Sequence, residues 1–159
     1  RLVNEERKKA GVAPLELDST LTKAAQIRAK EITQAWGHTR PNGKDFRTVV
    51  YEVDNSYETK SISENISSWY SPETAVNGWM NSTKGHKENM LNTKWKYAGV
   101  GHEGSHWVIM FSDEVILKLN LIAKRKRYEK SYLFSICKKR KGEEVCKKRK
   151  DFLHFCLLW

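Results

Sequence analysis

The sequence predicts an α+β fold, and three observations carry that reading. Apolar residues recur at helical spacing through the first 36 positions, a strong helix start stands at Ser71-Pro72-Glu73, and two short β-like runs flank Glu103-Gly104-Ser105. Helices segregated from a small antiparallel sheet pack as layers around one core. A chain of 159 residues has room for one domain of ordinary size, with a substantial core. Its 39% hydrophobic and 30% charged residues are the composition of a globular protein, neither disordered nor membrane-embedded. No run of about 18 apolar residues occurs, so no segment reads as a membrane-spanning helix.

Each element has its own signals. Arg1 to Ala10 reads as a helix carrying Leu2, Val3 and Ala10, closed by Gly11 and barred from continuing by Pro14. Asp18 is a good N-cap for a second helix, in which Leu21, Ala25, Ala29, Ile32 and Trp36 recur every three or four residues before Gly37 ends it. His38 then follows a helix end, where its ring can turn into a cleft. Asn42-Gly43 reads as a turn, and Thr48 to Val53 as a strand or extended segment. Residues 54–63 are polar and poorly patterned. Ser71 as N-cap, Pro72 at the first helical position and Glu73 in the first turn open a third helix whose inner stripe is Ala75, Val76, Trp79 and Met80. Tyr97 to His102 and His106 to Ser112 complete the series as a hairpin.

The net charge of +10 first points to a polyanion partner, but its distribution does not. Residues 113–159 hold 14 basic and 6 acidic residues, whereas residues 1–112 hold 15 and 13, a net of only +2. Cys137, Cys146 and Cys156 all lie in that basic tail, so residues 1–112 must stand without disulfides. The chain is therefore divided into a domain over residues 1–112 and a basic C-terminal tail over residues 113–159. The tail repeats Cys-Lys-Lys-Arg-Lys at 137–141 and 146–150 and ends in an apolar stretch from Phe152 to Trp159. It reads either as a basic arm for anionic wall polymers or nucleic acid, or as sequence never selected, such as the product of a shifted reading frame. The chain opens at Arg1 rather than Met, and the expectation is that a secretory signal is missing from its front.

Several segments in register resemble the CAP superfamily, which groups cysteine-rich secretory proteins, antigen 5 and plant pathogenesis-related proteins. Leu2-Val3-Asn4-Glu5-Glu6-Arg7 with Gly11 and Pro14-Leu15 is similar to the family's first helix and turn, and Leu21 to Ala29 to its Ala-rich second helix. His38-Thr39-Arg40-Pro41-Asn42-Gly43, Ser63-Glu64-Asn65-Ile66, Trp79-Met80-Asn81-Ser82, and Gly85-His86-Lys87-Glu88-Asn89-Met90-Leu91 follow in the order found in bacterial members. Ala98-Gly99-Val100-Gly101 and Trp107 to Phe111 match the closing strands. The resemblance covers residues 2–112. It implies an α-β-α sandwich, a small antiparallel sheet between helical layers, and an extracellular or cell-surface location. Ser63 departs from the usual Gly. The second acidic residue of animal and plant members is absent, its region being taken by Asn81 and Ser82.

Of the family's four-residue cleft cluster, His38, Glu64 and His86 carry over. Two imidazoles and a carboxylate suit zinc, with His38 and His86 as ligands and Glu64 as a third ligand or as the group orienting a ring. A zinc-bound water with a pKa near about 7 would make the site hydrolytic. Equally, His38 and Glu64 fit a buried hydrogen-bonded network that ties loops together. The separations of 26 and 22 residues carry no local metal signature. The expected function is a binding module whose His/Glu cleft takes a small apolar or peptidic ligand or a cell-wall component. No catalytic activity is assigned; the alternative is a metal-assisted hydrolase of peptide or phosphodiester bonds, and a third reading is polyanion binding through the tail. His102 and His106 are read as exposed turn histidines, with cross-strand metal binding as the competing view. Trp36, Trp69, Trp79, Trp95 and Trp107 are read as core or cleft wall.

Overall fold

The structure is a computed structural model that describes residues 1–113. The expectations placed on the tail fall outside those residues. Along the chain run α1 (Leu2–Lys9), β1 (Glu16–Leu17), α2 (Ser19–Glu31), α3 (Arg47–Val53), a 3-10 turn (Asn55–Thr59), β2 (Ile62–Ser68), α4 (Pro72–Met80), α5 (His86–Met90), β3 (Tyr97–Glu103) and β4 (His106–Ser112). The sheet has the order β1-β3-β4-β2. β2, β4 and β3 are antiparallel, as expected, and the two-residue β1 adds a parallel edge beside β3.

The period-2 alternation of the strands divides the core into two layers. Val108 and Met110 of β4, with Ile62 and Ile66 of β2, pack against Leu21, Ala25 and Ala29 of α2 and Val49 and Val50 of α3. Ile109 and Phe111, with Ala98 of β3, face the other way onto Trp79 of α4, Met90 of α5 and Trp95. This is the layered arrangement of helices on both faces of one small sheet.

Local chemistry sets the helix starts. Asp18 accepts the backbone N–H of Leu21 at 2.8 Å and caps α2. Ser71 and Thr74 form a reciprocal capping box, with Pro72 at the first position of α4. α1 and the α5 region are fastened by Arg7, which is wholly buried. Its Nε donates to the Ala13 carbonyl at 2.8 Å, and its Nη1 to the carbonyls of Met90 (2.7 Å) and Asn92 (3.0 Å).

The structure departs from the sequence reading at three places. Residues 48–53 are helical rather than extended: Val49 and Val50 are buried against α2 while Glu52 points outward, so packing overrides the strand preference of β-branched residues. The segment that lacked a pattern contains the 3-10 turn, and β2 begins directly after it, at Ile62. In addition, α2 stops at Glu31, short of Trp36, which stands 58% exposed.

α2 lies directly upon β3. A Cβ on Gly99 would lie 2.1 Å from the backbone C of Leu21 and N of Thr22, and one on Gly101 would lie 2.1 Å from the backbone of Ala25. Helix and strand touch backbone to backbone, and only glycine fits there. Gly99→Ala is expected to cost at least about 3 kcal/mol, at the upper end of overpacking effects. Gly43→Ala, strained only by a φ of 79° with open space around it, is expected to cost about 1 kcal/mol. Urea unfolding of the two variants checks this, and equal midpoints would contradict the close contact.

Candidate functional site

The site begins with a charge on an apolar stripe. Arg28 lies between Ala25 and Ile32 on the inner face of α2 and is fully buried. A buried guanidinium needs carboxylates or carbonyls around it. Its Nε donates to Glu64 Oε2 at 3.2 Å and its Nη2 to Glu64 Oε1 at 3.1 Å, a two-pronged bond in which both side chains are fully shielded from solvent. Nη1 reaches Glu31 Oε2 at 2.9 Å, and Nη2 also reaches the Gly37 carbonyl at 2.7 Å. Arg40 extends the chain of charges, binding Glu31 through Nε and Nη2, the Thr48 hydroxyl at 2.9 Å and Glu52 at 2.9 Å. Burial alone would raise the Glu31 pKa, but its bonds from Arg40 and Arg28 outweigh that and hold it below the ordinary value. The loop from 37 to 46 is thus held to α2, α3 and β2 by charge.

His38 hangs on this network. Its Nδ1 stands 2.9 Å from Glu64 Oε1. A carboxylate oxygen can only accept, so Nδ1 carries the proton, and in the neutral ring Nε2 is an acceptor. Its side chain is 55% exposed, and the ring leans toward Phe46 with centroids 6.0 Å apart.

His86 is held from the other face of the sheet. Asn65 follows Glu64 on β2 and so points to the opposite layer. Its Nδ2 donates to the His86 carbonyl at 2.9 Å, and its Oδ1 accepts from Asn89 Nδ2 at 2.8 Å. Asn89 Oδ1 in turn accepts from Trp95 Nε1 at 2.9 Å. The His86 ring is bonded at Nδ1 to the Ser82 hydroxyl, 2.8 Å away. Burial first, then the charges of His38 and Lys84, lower its pKa, so the neutral ring persists further into acid than a free imidazole.

His38 and Glu64 are therefore joined directly, and His86 joins them through the backbone neighbour of Glu64. The zinc reading gains no support. Among the described residues no group of three or more His, Cys, Asp or Glu side chains could hold a metal ion. Both oxygens of Glu64 are committed to Arg28 and His38, so the donor set does not fit a three-ligand centre. His102 and His106 are engaged by aromatic rings: the His102 ring lies 4.2 Å from that of Trp107 between centroids, and the His106 ring 5.8 Å from that of Trp36. Trp79 and Trp95 are buried, whereas Trp36 and Trp69 stand out in solvent and are not core. Sequence reading missed Arg28, Glu31, Arg40 and Ser82. For Arg28 the signal was present, since an arginine on an apolar helical stripe must be paired inside.

Glu64→Ala would leave a buried, partly uncompensated guanidinium, and the expected loss is about 3–5 kcal/mol. The double change Arg28→Met, Glu64→Leu is expected to regain most of it, because removing both charges removes their desolvation cost. Thermal unfolding of both variants tests the pair, and a double variant no more stable than the single one would contradict it.

The arrangement has relatives. The family model of the cysteine-rich secretory protein family (CAP) matches residues 1–111. The chain is 35% identical over 115 residues to the uncharacterized protein YkwD of Bacillus subtilis, covering 69% of this chain and 44% of that protein. It thus spans under half the length of the curated relative it matches. Among solved structures it resembles an extracellular protein containing an SCP domain from Bacillus anthracis, with a TM-score of 0.65 at 22% identity over 71% of this chain and 38% of the other. It also resembles an outer surface protein of Borrelia burgdorferi, with a TM-score of 0.62 at 26% identity over 72% of this chain and 88% of the other. Sequence match and fold agree, and the chain belongs to the CAP family, in the company of bacterial members.

Proposed function

We propose that this domain is an extracellular, surface-exposed binding module whose imidazole cleft takes a peptidic ligand. The observation that carries the reading is the state of the two rings. Each is fixed at Nδ1, His38 by Glu64 and His86 by Ser82, and among the described residues neither Nε2 has a partner. Rings held by their inner nitrogen present a preorganised outer nitrogen, which favours recognition over mere packing. In its neutral form His38 offers an acceptor there, suited to a peptide N–H. The location follows the resemblance to proteins described as extracellular and outer surface. The hydrolase reading with Glu64 as a direct metal ligand is disfavoured, because both Glu64 oxygens are committed to Arg28 and His38.

Isothermal titration against a library of short blocked peptides tests this. His38→Ala and His86→Ala are each expected to weaken binding by about two- to tenfold, the worth of one hydrogen bond. Peptides that bind both variants as well as they bind the unaltered chain would exclude the cleft.

An apolar ligand is the second reading, favoured by a separate groove of ≈ 290 Å³ between α1 and α4. Leu2, Val3, Val76, Trp79, Val100 and Trp107 line it. Val76→Trp should fill the groove and abolish the fluorescence gain of an apolar dye such as 1-anilinonaphthalene; an undiminished gain would place the dye elsewhere.

A further inference from the structure

The described residues with large exposed aromatic side chains are Trp36, Trp69 and Tyr70, exposed by 58%, 46% and 97%. They come from two distant stretches of sequence, yet all gather at one end of the sheet, around the turn that joins β3 to β4. The Trp69 backbone N–H donates to the Ser105 carbonyl at 2.8 Å, and Trp107 Nε1 donates to the Trp69 carbonyl at 2.9 Å. The Trp36 ring stands 5.8 Å from that of His106. Ser68 and Ser105 place their hydroxyls 3.3 Å apart at the same turn.

The Trp69 ring is held, not loose. A Cβ on Gly78 would lie 2.7 Å from Trp69 Nε1, so the indole rests directly on the backbone of α4. In the β3–β4 register His106 pairs with Glu103 and Trp107 with His102, on opposite faces of the sheet. Trp36 therefore stands on the α2 side of the turn and Trp69 on the α4 side. Exposed aromatic surface in this concentration marks an interaction site.

We infer that this end of the sheet binds a neutral polysaccharide chain, with Trp36 and Trp69–Tyr70 as stacking faces on either side of the β3–β4 turn. Flat rings rimmed by hydroxyls and imidazoles match the alternation of apolar C–H faces and hydroxyls on a pyranose. An anionic membrane would call for lysine or arginine among the aromatics. The turn itself, 103–107, and the flanking segment 68–70 include none, and their charged member is the acid Glu103; Arg1 lies with Trp107 in the neighbouring groove. Faces on both sides of a turn suit a polymer, which engages them together and gains avidity, better than a single sugar. This surface uses none of the residues of the imidazole cleft, and the two readings are tested by different variants.

Affinity electrophoresis of the full chain through gels containing β-glucan, mannan or glycol chitin tests the inference; neutral polymers give the charges of the basic tail nothing to bind. Retardation by at least one polymer is expected, and Trp36→Ala, Trp69→Ala and Tyr70→Ala should each raise the dissociation constant by about two- to tenfold. Trp36 and Tyr70 are exposed enough for their variants to fold, which near-UV circular dichroism verifies, whereas Trp69→Ala also removes the contact with Gly78. Oligosaccharides of increasing length should bind progressively tighter. Absence of retardation in all three gels, or equal retardation of Trp36→Ala and Tyr70→Ala and the unaltered chain, would overturn the inference. So would Trp36-dependent binding to phosphatidylglycerol vesicles in place of the polymers.

Discussion

The fold depends on the contact of α2 with β3, where Gly99 and Gly101 let the helix backbone lie against the strand. Every other dimension of the inner layer follows. Small side chains at Ala24, Ala25 and Ala29 are buried because no room remains for larger ones. With the helix this deep, Arg28 is carried below the surface and must find its counter-charge inside. Glu64 supplies it from β2, the strand on the far side of β4. A longer residue on the glycine strip would lift the helix and with it the guanidinium that orients the site.

Glu64 and Asn65 show how two adjacent residues hold two layers. A strand sends successive side chains to opposite faces. Glu64 therefore meets α2 and the 37–46 loop, while Asn65 meets α5 and, through Asn89, Trp95. Neither contact is replaceable by an apolar residue of similar size without stranding a buried partner. Such pairs add little net stability against well-packed apolar alternatives. Their effect here is positional: they fix where the two loops bearing His38 and His86 leave the core.

Much of this was legible in the sequence, and the gaps have physical causes. The N-cap at Asp18, the Ser71-Pro72 start and the hairpin around Gly104 are written in local chemistry, and each formed as read. The segment Thr48 to Val53 misled because its β-branched residues favour a strand in isolation, and burial of Val49 and Val50 against α2 decided otherwise. β2 was hidden because it places Glu64 and Asn65 at adjacent positions, so a core strand carries polar residues on both faces. The pairing of His38 with Glu64 followed from the resemblance. The ownership of Glu64 by Arg28 did not, since it depends on how deep the helix sits, which only the two distant glycines determine.

That ownership changes what the cleft can do. A free carboxylate could turn toward a cation as a third ligand; one bound side-on by a buried guanidinium cannot turn away without stranding that charge. The place where animal and plant members carry their second acid is filled here by Asn81 and Ser82, and Ser82 bonds the His86 ring through a hydroxyl. Replacing a negative charge by a neutral hydroxyl removes the influence that would most favour a protonated or metal-bound ring. What remains around His86 is burial, with the charge of His38 when protonated and that of Lys84, opposed by Glu88, and the balance favours the neutral imidazole. The carboxylate thus serves as an internal anchor, held by Arg28 and holding His38, while the His86 ring is held by a neutral hydroxyl.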